Sequence, residues 1–388
     1  MIVVIGSGIA GTAAALAASA RHAPVRVIDG GAGATAIGSG ALDGDAPIGD
    51  AARAVLEALS LVDVAPSILA TTAGVLRHAA GADRALLRIE PRSTVFVPET
   101  SHPRWRGELL ARHWNVSALA RDHAIRFVTQ KVSLLQGEAE QAMGDVELAA
   151  CHDDPARIEA LAARLAEALA RTEPRATAIA LPPWLGAREA RAAKLSALVG
   201  VRCGEVLGDP AGPAGERFVF ARDAAFARAS IRSTRGRVAA FARDDSGLFV
   251  TLQSGDVIRA SAIVVAIGGL TGGGVRYTPS AAIAATALPP HPRSTFTLSL
   301  ESTLAIGLDG RPFLVPGSMF GIAPEELAFP YAASTIMERV GVLVASAGEG
   351  VHIAGDALEG APRTWLEALS RGAAAGLAAA GGGPTITS

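Results

Sequence analysis

The chain has 388 residues, half of them apolar, so a sizeable core can be buried and a disordered or fibrous polypeptide is excluded. Its net charge of −2, with mixed acidic and basic residues, gives no basic stripe of the kind that binding a phosphate backbone requires, which argues against nucleic acid. Two cysteines, Cys151 and Cys203, far apart and without a CxxC, offer neither a disulfide framework nor the ligands of an iron–sulfur cluster.

Met1 runs directly into "IVVIGSGIAG" with no charged leader region or cleavage site, so a cytoplasmic location is expected. "IVVI" at 2–5 is a continuous β-branched run, typical of a strand buried on both faces of a parallel sheet. "GSGIAG" follows, placing Gly6, Gly8 and Gly11 in GxGxxG spacing ahead of a helix of small residues. In that arrangement Gly6 permits the tight turn, Gly8 lets the backbone approach a pyrophosphate, and Gly11 lets the helix lie close on the sheet. The helix N-terminus then offers free N–H groups and a positive dipole end to phosphates. A second strand, "VRVID" at 25–29, ends in Asp29, 18 residues after Gly11, where an acid can accept the hydroxyls of an adenosine ribose. These features predict a dinucleotide site and leave NAD and FAD both open.

Soon after Asp29 comes "GATAIGSGALDG", a run of almost entirely small side chains at 33–44. Farther on, "DPARIEALAARLAEALART" at 154–172 has apolar residues at helical spacing and predicts a helix with a solvated charged face. Cys203 in "VRCGEV" reads as a small buried hydrophobe. Residues 236–269 alternate apolar and polar positions with turns at "DDSG" and "QSGD". They predict a β-meander followed by the apolar strand "IVVAIGG" ending in Gly268 and Gly269. "VHIAGDALEG" at 351–360 adds a third strand end, with Gly355 and Asp356, before a helix expected from about Pro362. Asp356 reads either as a contact to the cofactor's ribityl or pyrophosphate region or as a helix N-cap, and the two roles are compatible. The Ala-rich C-terminal stretch is interrupted by Arg371 and falls short of the roughly 20 residues a bilayer span needs, so it predicts a packed helix.

Three strand ends finishing in Gly or Gly-Asp form the pattern of a two-part FAD-binding domain with insertions. No second GxGxxG of good quality follows, so electrons are expected from a bound substrate or a partner protein rather than from a nicotinamide domain. The expected fold is α/β: a Rossmann-like FAD-binding domain, with a parallel sheet plus β-meander, and an inserted α+β cap domain. Its flavin-binding pieces are placed at 1–50, 200–275 and 340–388, and the cap, facing substrate or partner, at 51–199 and 276–339.

The chain resembles the B-type flavoprotein of the anaerobic, quinone-linked glycerol-3-phosphate dehydrogenase, within the superfamily of FAD-dependent dehydrogenases. The resemblance is carried in order by "VVIGSGIAGTAAAL", "GSGALDG", "ALPPWLG", "GDPAGPAGERF", "VVAIGGLTGGG" and "GVHIAGDALEG", which together span nearly the whole chain. It implies a heteromer in which a second flavoprotein subunit oxidises a small hydroxylated metabolite and an iron–sulfur subunit passes electrons toward quinone. The chain itself then has no nucleic-acid partner and meets a membrane only through those partners. The resemblance also implies that the loop after Asp29 runs beneath the flavin, where bulky side chains would collide with it. Thr35 and Ser39 would then hydrogen-bond phosphate or ribityl oxygens, Gly38 and Gly40 would allow close approach, and Asp43 would cap the next element. No histidine lies between Asp29 and His78, so the flavin is expected to be noncovalent. One departure stands out: Pro362, Arg363 and Trp365 occupy a stretch that is Gly-rich in the family.

The cofactor-binding set expected from these segments is Gly6, Gly8, Ile9, Ala10, Gly11, Asp29, Gly30, Thr35, Gly38, Ser39, Gly40, Ala266, Ile267, Gly268, Gly269, Gly355 and Asp356, with no metal. No acid–base constellation is evident. The candidates near chemistry are His102 in "ETSHPRW" and His291 in "LPPHPRST", each before a Pro-Arg pair and each equally readable as a loop residue. Arg276 is a candidate anion anchor whose alternative is an ion pair. Three functions stay open: an oxidoreductase subunit, a non-catalytic flavin relay or scaffold, and a free-standing FAD-dependent amine or hydroxy-acid dehydrogenase or oxidase.

Overall fold

The computed structural model of the chain describes residues 1–44, 47–245, 247–269, 271–272, 274–279, 296–302, 311–315, 350–358 and 362–381. Two fully parallel sheets organise it. In chain order their strands are β1 (Ile2–Ile5), β2 (Val25–Asp29), β3 (Thr94–Glu99), β4 (Arg126–Lys131), β5 (Ala178–Leu181), β6 (Arg202–Glu205), β7 (Arg232–Arg235), β8 (Ala262–Val265) and β9 (Val351–Ile353). The helices used below are α1 (Ile9–Ser19), α2 (Gly107–Val116), α3 (Pro155–Leu169), α4 (Ala192–Val199), α5 (Pro213–Arg228) and α6 (Trp365–Ala379). The chain divides into two compact units, one of Met1–Thr35, Ala46–Ala58 and Ala225–Ser388, the other of Ala36–Asp45 and Leu59–Ala224.

The first unit carries a five-stranded sheet in the order β7-β2-β1-β8-β9, every neighbouring pair parallel. All four side chains of β1 are buried, which is why its sequence is a β-branched run with no alternation. The meander of Val238–Asp244, Gly247–Leu252 and Val257–Ala260 is antiparallel and alternates, as expected of a sheet with one buried face. Its Phe241, Leu248, Val250 and Ile258 join Val3, Ile5, Ile263 and Val265 in one core. Helices α1 and α6 meet at backbone contact: a Cβ on Gly372 would lie 2.2 Å from the Ala10 carbonyl oxygen, and one on Gly376 would lie 2.2 Å from that of Ala14. Strands Val275–Pro279, Phe296–Ser302 and Arg311–Val315 pair as an antiparallel sheet.

The second unit holds a four-stranded parallel sheet in the order β6-β5-β3-β4, with small antiparallel sheets beside it. A fully parallel sheet in this insertion was not legible in the sequence, because its strands are short and separated by long helical stretches. Its core is built on Phe96, Trp105, Trp114, Ile158, Leu165 and Ile179, all at most 1% exposed. The expected helix at 154–172 is α3, which starts at Pro155 under an Asp154 cap that accepts from the Ala156 amide at 2.9 Å. Cys203 is buried as expected, its thiol pushed up to about 12 by desolvation.

A charged triad locks α5 to this sheet. The Arg217 guanidinium, fully buried, donates to Asp83 Oδ2 at 3.1 Å, Glu205 Oε2 at 2.7 Å and the Gly186 carbonyl at 2.6 Å. Desolvation pushes the Glu205 carboxyl up, and Arg217 opposes that shift. Because α5 is held here, the stretch 200–224 belongs to the second unit. The boundary expected at 200 therefore lies at 224, and the first flavin-binding piece, expected to run to 50, loses 36–45 to the second unit. Most of the expected cap segment 276–339 lies outside the described residues. No helix of the described residues is long and apolar enough to cross a membrane.

Candidate functional site

The ends of all five strands of the first sheet, β1, β2, β7, β8 and β9, open on one cavity of about 640 Å³. The turn after β1 forms its floor. Gly6 has φ +109°, and a Cβ there would lie 2.1 Å from the Ala266 carbonyl oxygen, so only glycine fits between the two strand ends. A Cβ on Gly11 would lie 2.0 Å from the Gly6 carbonyl oxygen, so α1 packs on the turn at backbone distance. Gly8 differs: its φ is −66°, and the nearest atom to an added Cβ is Thr35 Oγ1 at 3.4 Å. Glycine at position 8 therefore leaves space rather than relieving strain, which is what a cradle for a bound group requires.

Helix α1 starts at Ile9 with no side-chain cap from Gly8. Thr35 supplies one from elsewhere, its Oγ1 accepting from the Ile9 amide at 3.1 Å. The amides of Ala10 and Gly11, in the first turn, have no carbonyl within the helix to reach. They sit at the positive end of the helix dipole, where anionic oxygens are stabilised. Asp29 closes the next strand end: its Oδ1 accepts from Ser7 Oγ at 2.8 Å and from the Gly31 amide at 2.9 Å, while its carbonyl accepts from the Gly236 amide at 2.9 Å. The carboxylate is thus fixed at the tip of β2.

Of the expected cofactor residues, Gly6, Gly8, Ile9, Ala10, Gly30 and Thr35 line the cavity on this side. Ala266, Ile267, Gly268 and Asp356 line it on the other. Gly11, Asp29, Gly269 and Gly355 do not line it themselves, but each is next in the chain to a residue that does. Asp356 lies in a short 3-10 turn, Gly355–Ala357, and does not cap α6, whose N-cap is Thr364, accepting from the Glu367 amide at 3.3 Å. The helix therefore starts at Trp365 rather than Pro362. Burial pushes the Asp356 carboxyl above its ordinary value, and Arg363 opposes that shift.

The small-residue run after Asp29 divides. Residues 31–35 line the cavity, whereas Gly38, Ser39 and Gly40 belong to the second unit. There the Ile37 carbonyl accepts from the Ala211 amide at 2.9 Å, and that of Gly40 from the Asp83 amide at 2.8 Å. A Cβ on Gly215 would lie 1.9 Å from the Ala36 carbonyl oxygen. Within this unit, small side chains here answer a tight backbone fit against α5. Asp43 does not cap the next element; it pairs with Arg77.

His102 is 2% exposed, with both ring nitrogens engaged: Nε2 lies 3.1 Å from the Met143 carbonyl and Nδ1 accepts from the Arg104 amide at 3.3 Å. Its ring stacks edge-on against Trp184, and it is a structural residue of the second unit rather than an available base. His291 lies outside the described residues, as does the side chain of Arg276, whose backbone is in strand Val275–Pro279. Arg235, Gly236, Arg237 and Gln253 also line the cavity and were missed in the sequence. The cue was slight: a glycine between two arginines where a strand gives way to a meander.

No protein-family model and no curated protein sequence matches the chain. Among solved structures it is similar to peptidyl tryptophan dihydroxylase QhpG, at 13% identity over 97% of this chain and 66% of that one, with a TM-score of 0.34. It is also similar to iminodiacetate oxidase from Chelativorans sp. BNC1, at 14% identity over 100% of this chain and 97% of that one, with a TM-score of 0.34. A third, CtdE in complex with FAD, shares 9% identity over 97% of this chain and 83% of that one, with a TM-score of 0.37. Likeness at this level assigns neither activity nor substrate to the chain.

Proposed function

We propose that the first unit binds FAD noncovalently and that the chain is an FAD-dependent oxidoreductase. One observation carries this reading: a single cavity joins the GxGxxG turn, the segment after β2 and the Gly-rich ends of two further strands, with a glycine at position 8 that is open rather than strained. The residues present fit the cofactor. The first-turn amides of α1 and the Gly8 cradle suit a pyrophosphate, Asp29 suits an adenosine ribose, and Gly268, Thr271, Gly272 and Asp356 carry the same cavity on past the turn.

When bound, FAD supplies the acceptor for two electrons. The chain's own part is to hold it. The α1 terminus would orient the phosphates, Asp29 would hold the adenosine end, and the glycines of the far wall would let the remainder lie against backbone. Asp356, half-buried at that wall, is placed to hydrogen-bond hydroxyl groups.

The finer reading is that the chain works within a heteromeric dehydrogenase, resembling the B-type flavoprotein of anaerobic glycerol-3-phosphate dehydrogenase. It would take electrons originating in a small hydroxylated metabolite toward an iron–sulfur partner and quinone. A second reading, a flavin-binding relay without its own substrate chemistry, is favoured by His102 being locked in the core with both nitrogens engaged. Anaerobic mixing of the purified chain with glycerol-3-phosphate, lactate or an amino acid separates the two. Bleaching of the flavin band by the chain alone supports the dehydrogenase, and bleaching only after a partner flavoprotein is added supports the relay. A flavin band that stays unbleached under both conditions contradicts both.

A further inference from the structure

The segment 362–364 leads into α6 and is the part of the C-terminal motif that the dinucleotide reading leaves without a role. Its central residue is placed with care. A Cβ built on Gly269, just beyond β8, would meet Arg363 Nη1 at 3.0 Å and Asp356 Oδ2 at 3.3 Å. A guanidinium and a carboxylate therefore converge on one point of the strand end. Gly268, next to that point, and Asp356 both line the cavity, as does Ala368, one turn into α6.

Three features fix this arrangement. The backbone contacts of Gly372 and Gly376 with Ala10 and Ala14 set the position of α6 on α1, so its N-terminal end cannot swing away. The Thr364 hydroxyl caps the Glu367 amide and so fixes the backbone next to Arg363. The Glu367 carboxylate accepts from Arg371 Nε at 2.5 Å, which ties the first turn of α6 to its second. Arg363 is half-buried, and its charge opposes the desolvation of Asp356. Because a guanidinium stays protonated at every working pH, the positive charge beside Gly269 and Asp356 is permanent.

In the sheet, β2 with Asp29 lies on one side of β1 and its GxGxxG turn, and β8 and β9 lie on the other; Asp29 marks the adenosine side, so on the FAD reading the Gly268–Asp356 end receives the redox-active part. We propose that Arg363 is an electrostatic determinant of this site: held over Gly269 beside Asp356, its guanidinium stabilises the electron-rich reduced form of the bound flavin and raises its two-electron reduction potential. In that half-reaction the donor gives up two electrons to the flavin, and the accompanying proton comes from the donor or from water. No bond forms to the protein, and Arg363 remains a cation throughout. Asp356 limits the effect, because its carboxylate lies beside the guanidinium at Gly269. The inference rests on the FAD reading.

The full-length, flavin-loaded protein tests it, with Arg363→Gln and Arg363→Lys beside the wild type. Two readouts are independent of turnover: the midpoint potential, by equilibration with a reference dye, and the affinity for sulfite, which adds to electron-poor flavin. Arg363→Gln is expected to shift the reduction equilibrium about tenfold toward the oxidised form, about 30 mV for two electrons, and to weaken sulfite binding by about tenfold. Arg363→Lys keeps the charge and is expected to stay within about threefold of the wild type. Loss of FAD from Arg363→Gln with retention in Arg363→Lys also supports the requirement for charge. Wild-type potential and sulfite affinity in flavin-loaded Arg363→Gln overturn the inference, as does equal loss of FAD from both variants, which marks a purely structural residue. Both outcomes leave the FAD reading standing, whereas a wild-type protein that binds no FAD defeats that reading itself.

Discussion

The Ile9 amide donates to the Thr35 hydroxyl at 3.1 Å, so the first residue of α1 is capped by a side chain from the loop after Asp29 rather than by its own N-cap, Gly8. A loop that would otherwise only pass the cavity is thereby tied to the helix end that would face phosphate. Thr35→Val removes the acceptor and keeps the shape. It is expected to cost about 1 kcal/mol of stability, as the loss of a cap does, and to weaken FAD binding several-fold, with Thr35→Ser close to wild type. Thermal unfolding and flavin titration check the two effects, and a Thr35→Val protein equal to wild type in both would remove the cap from the account.

The three glycines of the GxGxxG turn are expected to fail in different ways. At Gly6 and Gly11 an added Cβ lies within 2.1 Å of a backbone oxygen, so alanine there should destabilise the fold itself. At Gly8 nothing lies closer than 3.4 Å, so Gly8→Val should yield soluble, folded protein that has lost its flavin. Circular dichroism with acid-released flavin as the second readout distinguishes the outcomes, and full retention of FAD in Gly8→Val would overturn the placement of the pyrophosphate.

Removing Arg217 leaves Asp83 and Glu205 facing each other in a site at most 1% exposed. Arg217→Met is therefore expected to cost about 3–5 kcal/mol in chemical denaturation, because it strands buried charge. The triple change Arg217→Met, Asp83→Asn, Glu205→Gln is expected to recover part of that loss. A single variant within about 1 kcal/mol of wild type would contradict the triad's role.

Burial holds the His152 imidazole below its ordinary value of 6.5, with Arg157 and Arg164 adding to the shift and the Leu148 carbonyl and Glu140 opposing it. His352 is lowered in the same direction by burial. Below pH 6.5 the unfolded chain then binds more protons than the folded one. The stability these neutral histidines contribute is complete above 6.5 and is lost as pH falls through that value toward their folded ones. The unfolding midpoint is expected to drop as pH falls below 6.5, and His152→Gln to flatten that slope. Identical slopes for the two proteins would assign the acid lability elsewhere.

The parts of the site made from backbone were the parts legible in sequence. Gly6, Gly8, Gly11 and Asp29 announce themselves because strand, turn and helix must follow at fixed spacing, and the strand ends at Gly268 and Asp356 do so because glycine marks close approach. The role of "GSGALDG" was harder to read, since small residues suit a cofactor and a tightly packed neighbour equally well, and here Ala36 and Gly40 fit against Gly215 and Asp83. The Arg217 triad was invisible because its members, at 83, 205 and 217, are brought together only by tertiary packing. Arg235, Arg237 and Gln253 were missed for the same reason. His102 misled because a Pro-Arg pair beside a histidine looks the same whether the ring faces solvent or the Met143 carbonyl.

The most direct test is a measurement of flavin on the purified full-length chain: its visible spectrum, followed by acid extraction and titration of the stripped protein with free FAD. The account predicts a yellow protein that releases its FAD into the acid supernatant, as a noncovalently held flavin does, and that takes up close to one equivalent when FAD is returned. A colourless protein that takes up no added FAD would contradict it.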